Sequence, residues 1–96
     1  MISLDSRVSL ARQARLKLDP RTGRQMLLYP EKGLDLNDTA ARVAALCREE
    51  RAVRDIVERM VSAAIESPTA RRQIEDEVLA FLRALEDRGL LMVRNP

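Results

Sequence analysis

Gln25-Met26-Leu27-Leu28-Tyr29-Pro30-Glu31-Lys32-Gly33-Leu34-Asp35-Leu36-Asn37 is the stretch whose reading decides the fold. Met26 to Tyr29 form an apolar run too short for a helix, preceded by Gly23 and closed by Pro30, which is the signature of a buried strand. Lys32 to Leu36 places Leu34 and Leu36 on one face, a second strand of period two. Asn37 is an N-cap residue type, and Asp38 behind it suits the positive end of a helix.

Upstream, Leu16 and Leu18 alternate with Arg15, Lys17 and Asp19, which predicts another strand with one apolar face. Asp19-Pro20-Arg21-Thr22-Gly23 reads as the turn joining it to Gln25–Tyr29, with Gly23 free to take positive φ. Residues 1–13 show no clear period and are expected to be a loose arm.

Downstream, Ala40, Val43, Ala44 and Cys47 recur at helical spacing, and the charged run Arg48 to Arg51 ends that helix. Val53, Ile56, Val57, Met60, Val61 and Ala64 make a second amphipathic stripe. Ser67-Pro68 is a start signal for a third helix, with Ile74, Val78, Phe81, Leu82 and Leu85 as its buried stripe. Gly89 stops it and sets Leu90 against Leu85, and Leu90 to Val93 offers a short closing strand. Strands followed by helices predict an α+β fold in one domain, residues 1–96. Its layout is winged-helix-like: a three-stranded antiparallel sheet followed by three helices.

Ninety-six residues hold one core, and with Tyr29 and Phe81 as the two aromatics that core is aliphatic. Histidine is absent, which removes the usual neutral-pH base and metal ligand. Cys47 is the single cysteine, so neither an internal disulfide nor a cysteine-based zinc site can form. The inventory argues against an enzyme, and no cofactor or metal is expected. The first ten residues lack the apolar run of a signal peptide, and no apolar stretch is long enough to span a bilayer. A cytoplasmic setting with no membrane partner is the expectation. Charge is uneven: up to Pro30, Arg7, Arg12, Arg15, Lys17, Arg21 and Arg24 face only Asp5 and Asp19. That basic third suits an acidic peptide or nucleic acid, or is a solvated strand face.

The segment Leu27-Leu28-Tyr29-Pro30-Glu31, continued by Leu34, Leu36 and Asn37, resembles the signature of the PqqD family. The likeness runs on through Ala40-Ala41, Leu46-Cys47, Ile56, Glu77-Val78, Phe81-Leu82, Leu85 and Gly89-Leu90-Leu91, so it covers about Leu16 to Leu91. Two positions depart from the pattern. Gln25 stands where the family often has an aromatic, and Arg48 to Ala52 replaces an Asp-Gly and a threonine cap, a loss of ~1 kcal/mol for the second helix start.

The resemblance implies a non-catalytic chaperone for the ribosomally made precursor peptide of pyrroloquinoline quinone biosynthesis. The peptide would dock as an added strand on the third strand, beside the third helix, and be presented to a radical S-adenosylmethionine enzyme. An open sheet edge can template an incoming strand through main-chain bonds. The candidate contacts are Glu31, Lys32, Gly33, Leu34 and Asp35 on the strand, and Glu75, Leu79, Leu82 and Arg83 on the helix. With Ile74 at zero, Val78, Phe81, Leu82 and Leu85 fall between about −20° and 80° on the helical wheel, and Leu79 lies near 140° beside Glu75 and Arg83.

Several alternatives stay open. Glu31 and Lys32 suit a protective edge, Leu34 and Leu36 suit pure core, and Leu79 suits a scattered surface leucine. The whole chain suits a recognition module of another peptide-modification pathway, a winged-helix DNA-binding regulator, or a scaffold that forms a homodimer. Against DNA, the third helix mixes Glu75, Asp76, Glu77, Glu86 and Asp87 with its arginines, a poor surface for phosphates.

Overall fold

The computed structural model describes residues 2–29, 32–63 and 68–96. The strands are β1 (Arg7–Leu10), β2 (Arg15–Leu18), β3 (Gln25–Tyr29), β4 (Lys32–Leu36), β5 (Arg51–Ala52) and β6 (Leu91–Arg94). The helices are α1 (Asp38–Leu46), α2 (Val53–Ser62) and α3 (Pro68–Asp87). The expected α+β class, with antiparallel strands and three helices, is what the structure shows.

The expected three-stranded sheet has the order β2-β3-β4. Leu16 faces Leu27 and Leu27 faces Leu34, so the apolar face runs across the sheet through these three residues. The turn behaves as its residues dictate: Asp19 N–H donates to the Arg24 carbonyl and Gly23 N–H to the Asp19 carbonyl, each at 2.8 Å, with Gly23 at φ 72°. Leu18 departs from expectation. It shares Leu16's face but is 56% exposed, at the turn end of the border strand and paired with half-buried Gln25.

A second sheet, β5-β1-β6, was not foreseen as a sheet, although β6 falls on the closing strand expected at Leu90 to Val93. The segment expected to be a loose arm supplies its central strand: Arg7 to Leu10 pair with Arg94 to Leu91, and Arg7 and Val8 with Ala52 and Arg51. Ile2 and Val8 are buried in the core. β1 escaped notice because a four-residue strand with one fully buried position has no readable period. Leu10 N–H donates to the Cys47 carbonyl and Ala11 N–H to the Leu90 carbonyl, both at 2.8 Å, so the path from β1 to β2 is fastened to the ends of α1 and α3.

Asn37 caps α1 as expected: its side-chain oxygen accepts from Ala40 N–H at 2.8 Å. α2 has no side-chain cap. Its first N–H groups donate instead to the arm, Val53 to the Ser6 carbonyl at 2.9 Å and Arg54 to the Leu4 carbonyl at 3.0 Å. α3 ends in a Schellman pattern, with Leu90 N–H on the Leu85 carbonyl at 2.9 Å, Gly89 N–H on the Glu86 carbonyl at 3.0 Å, and Gly89 at φ 73°. The proposed Ser67 cap and Ala64 lie outside the described residues. α1 is the mediator of the fold, packed on all three strands of β2-β3-β4 on one side and on α2 and α3 on the other.

Candidate functional site

β4 is a border strand. Its inner side pairs with β3 in the register Gln25↔Leu36, Met26↔Asp35, Leu27↔Leu34, Leu28↔Gly33 and Tyr29↔Lys32, and no described strand lies on its outer side. In an antiparallel pair alternate residues turn both their N–H and C=O outward, so this border offers main-chain groups to a further strand. Leu34 is half-buried against the core, and Leu36 is buried. Gly33 and Asp35 are exposed on the opposite face. Gly33 is closely overlain: a Cβ there would sit 2.9 Å from Met26 Cε and 3.2 Å from Leu28 Cδ2. A side chain at this position would push both away from the strand. Only the main chain of Lys32 is described, and Glu31 lies outside the described residues.

Where β4 runs into α1, a groove of about 310 Å³ opens between α1 and α3. Asn37, Thr39, Ala40 and Val43 line one wall, and Glu77, Val78, Ala80 and Phe81 the other. The Asn37 cap sets the direction in which α1 leaves the strand, and so fixes the groove at the end of the open border.

The strand and helix residues singled out from the sequence do not all meet. Gly33, Leu34 and Asp35 lie on the border strand as expected. Leu82 has no exposed surface and belongs to the core. Glu75 and Leu79 are half-buried and Arg83 is exposed, but none of them lines the groove. Relative to Ile74, groove residues Phe81, Glu77 and Ala80 fall at about −20°, −60° and −120°, on the other flank of the stripe. Arg71, at about 60° and so on the Glu75 side of the stripe, donates its guanidinium N–H to Glu58 of α2. Phe81, Glu77, Ala40 and Thr39 are thus groove residues that the sequence reading missed. The wheel identified the buried stripe, but which flank meets α1 is decided by packing.

Among the described residues no group of three His, Cys, Asp or Glu side chains could hold a metal ion. Cys47 is wholly buried, and burial pushes its thiol up to about 12 against a weaker opposing pull from Arg51, so it stays protonated at neutral pH. Asp55, held between Arg51 at 3.3 Å and Arg59 at 3.0 Å, is shifted below its ordinary value chiefly by the Arg59 hydrogen bond. It is a surface ion-pair node on α2. No described helix is long and apolar enough to cross a membrane.

A small α+β domain with an open border strand beside a helical groove is the class that this fold and site define. The family model for coenzyme PQQ synthesis protein D (PqqD) matches residues 24–91, and the chain belongs to the PqqD family. It is 33% identical over 90 residues to a PqqA binding protein of Rhodopseudomonas palustris strain HaA2, covering 94% of this chain and 85% of that one. It is 36% identical over 80 residues to the PqqA binding protein of Pseudomonas aeruginosa strain UCBPP-PA14, covering 83% of each. Its fold superposes with a TM-score of 0.75 and 26% identity on the solution NMR structure of the PqqD truncation of Methylobacterium extorquens PqqCD, covering 96% of this chain and 95% of that one. That truncation is described as a functional, stand-alone RiPP recognition element, RiPP denoting ribosomally synthesized and post-translational modified.

Proposed function

We propose that this chain is a non-catalytic binding protein for a PqqA-type precursor peptide in PQQ biosynthesis, and that it presents the peptide to a radical S-adenosylmethionine enzyme. The peptide adds to β4 as a fourth strand, bonding to the outward main-chain groups of Lys32 to Leu36. It continues into the α1–α3 groove, where Ala40, Val43, Val78 and Phe81 receive an apolar side chain. The observation that carries this reading is the unpaired outer border of β4, running into that groove. Main-chain bonds supply affinity and the alternating pockets supply selectivity. Glu75, Leu79 and Arg83 fall outside this path. The layout is read as winged-helix-like, with the helices serving the peptide groove rather than a DNA groove. The names of the relatives support the peptide assignment.

Titrating the isotope-labelled protein with synthetic PqqA should shift the amides of Gly33 to Leu36 together with those of Ala40, Val78 and Phe81. A PqqA variant N-methylated at two strand-facing amides should bind roughly 5- to 150-fold more weakly, since each lost bond is worth roughly 0.5–1.5 kcal/mol. Shifts that avoid both β4 and the groove would sink the proposal.

A further inference from the structure

The sheet β2-β3-β4 has a second open border, β2, and a different kind of depression lies against it. A concavity of about 620 Å³ lies between this border and the link from β1. Its rim carries Arg12, Arg15, Lys17 and Arg48, and Leu10 and Leu16 are part of its apolar lining. No described Asp or Glu lines it.

The four cations are exposed, and none forms an ion pair with a described residue. Arg7, Arg21, Arg51, Arg54, Arg59, Arg71 and Arg94 each hold a carboxylate; Arg24, Arg42, Arg72, Arg83 and Arg88 pair with no described carboxylate either, and what sets the rim apart is that its four cations line one concavity. The walls are fixed by backbone bonds: Leu10 N–H to the Cys47 carbonyl next to Arg48, Ala11 N–H to the Leu90 carbonyl next to Arg12, and Ala14 N–H to the Ala11 carbonyl at 3.0 Å.

We propose that this depression is a docking site for an acidic, extended segment of a protein partner, separate from the β4 border. Like charges held close together on a rigid rim repel one another, and an incoming run of carboxylates relieves that repulsion and is steered toward it. The apolar lining accepts aliphatic side chains alternating with the acids, and the open β2 border offers main-chain groups to the same segment. Nucleic acid is disfavoured because neither Tyr29 nor Phe81 lines the site, so no ring is available on which a base could stack. The two borders of this sheet are two strand spacings apart, roughly 10 Å, so an acidic partner at β2 leaves β4 free for a peptide.

The test is fluorescence anisotropy of this chain with a labelled peptide alternating glutamate and valine, a lysine–valine counterpart, and a single-stranded oligothymidine. The glutamate peptide should bind, weaken steeply with added NaCl, and lose at least about tenfold in affinity in the double variant Arg12→Glu, Arg15→Glu, while Arg72→Glu on α3 leaves it unchanged. All three substituted side chains are exposed, and unchanged thermal melts establish that the variants fold. Absence of binding, binding indifferent to the double variant, or oligothymidine binding as tightly as the glutamate peptide would each overturn the proposal. PqqA binding at β4 is read separately by its own amide shifts, so either site can fail alone.

Discussion

Cys47 and Ser6 show what single side chains do in a core this small. The Cys47 thiol has no exposed surface, and its value near 12 stands above the ordinary 9.0. Between those two values the unfolded chain gives up a proton that the folded chain keeps, so the unfolded state binds fewer protons and stability falls as pH rises across the window. Below pH 9.0 the contribution is fully present. Urea midpoints measured from pH 8 upward should decline less steeply for Cys47→Ala than for the parent, and a thiol reagent at neutral pH should label the parent only at the rate at which it opens. Ser6 is the one buried polar side chain among the described residues. Its Oγ accepts from Ser3 N–H at 2.9 Å and donates to Asn95 Oδ1, tying the arm to the far end of β6. Ser6→Ala leaves the Ser3 N–H without its acceptor and should cost about 1–3 kcal/mol in a denaturation curve.

At the scale of elements, the arm and α2 have to be considered together. The run Arg48 to Ala52 lacks a capping side chain before α2, and the sequence alone therefore predicts a weak helix start. The carbonyls of Leu4 and Ser6 take those N–H groups instead, which makes residues 2–6 the cap that α2 does not carry itself. Ile2→Ala should therefore destabilise by roughly 2–5 kcal/mol, as a buried truncation does, where the same change in a loose arm would do nothing measurable. Far-ultraviolet melting of that variant beside the parent decides between the two. Legibility follows the same physics. β2, β3, β4, the Asn37 cap and the Gly89 stop were readable because each is set by its own neighbours in the chain. β1 and β5 were not, because two- and four-residue strands owe their existence to partners more than 40 residues away. The border strand of the candidate site was legible for the same local reason. The groove face of α3 was not, since Phe81 and Glu77 are distinguished from Leu79 and Glu75 only by where α1 happens to pack.

For the molecule as a whole, the two sheets differ in what they are for. β1 lies between β5 and β6, and Val8 at its centre has no exposed surface. Among the described residues no strand lies beyond either border of β2-β3-β4, and α1 packs on one face of it, with Gly33, Asp35, Arg15 and Lys17 on the other. One sheet is therefore built into the core, and the other is presented to the surroundings. Stability within a fold is lowest where backbone bonds face solvent and few apolar neighbours lie behind them. Hydrogen exchange on the free protein should consequently find the amides of Val8 to Leu10 opening only with global unfolding, and the outward amides of β2 and β4 exchanging roughly 100-fold faster or more. Adding PqqA should slow the β4 amides and leave those of β1 and β2 where they were, because a strand bonded to one border protects only the groups it covers. Slowing spread evenly over both sheets would mean that the ligand acts by general stabilisation of the fold, and a β4 border as fast with peptide as without it would leave strand addition no physical basis.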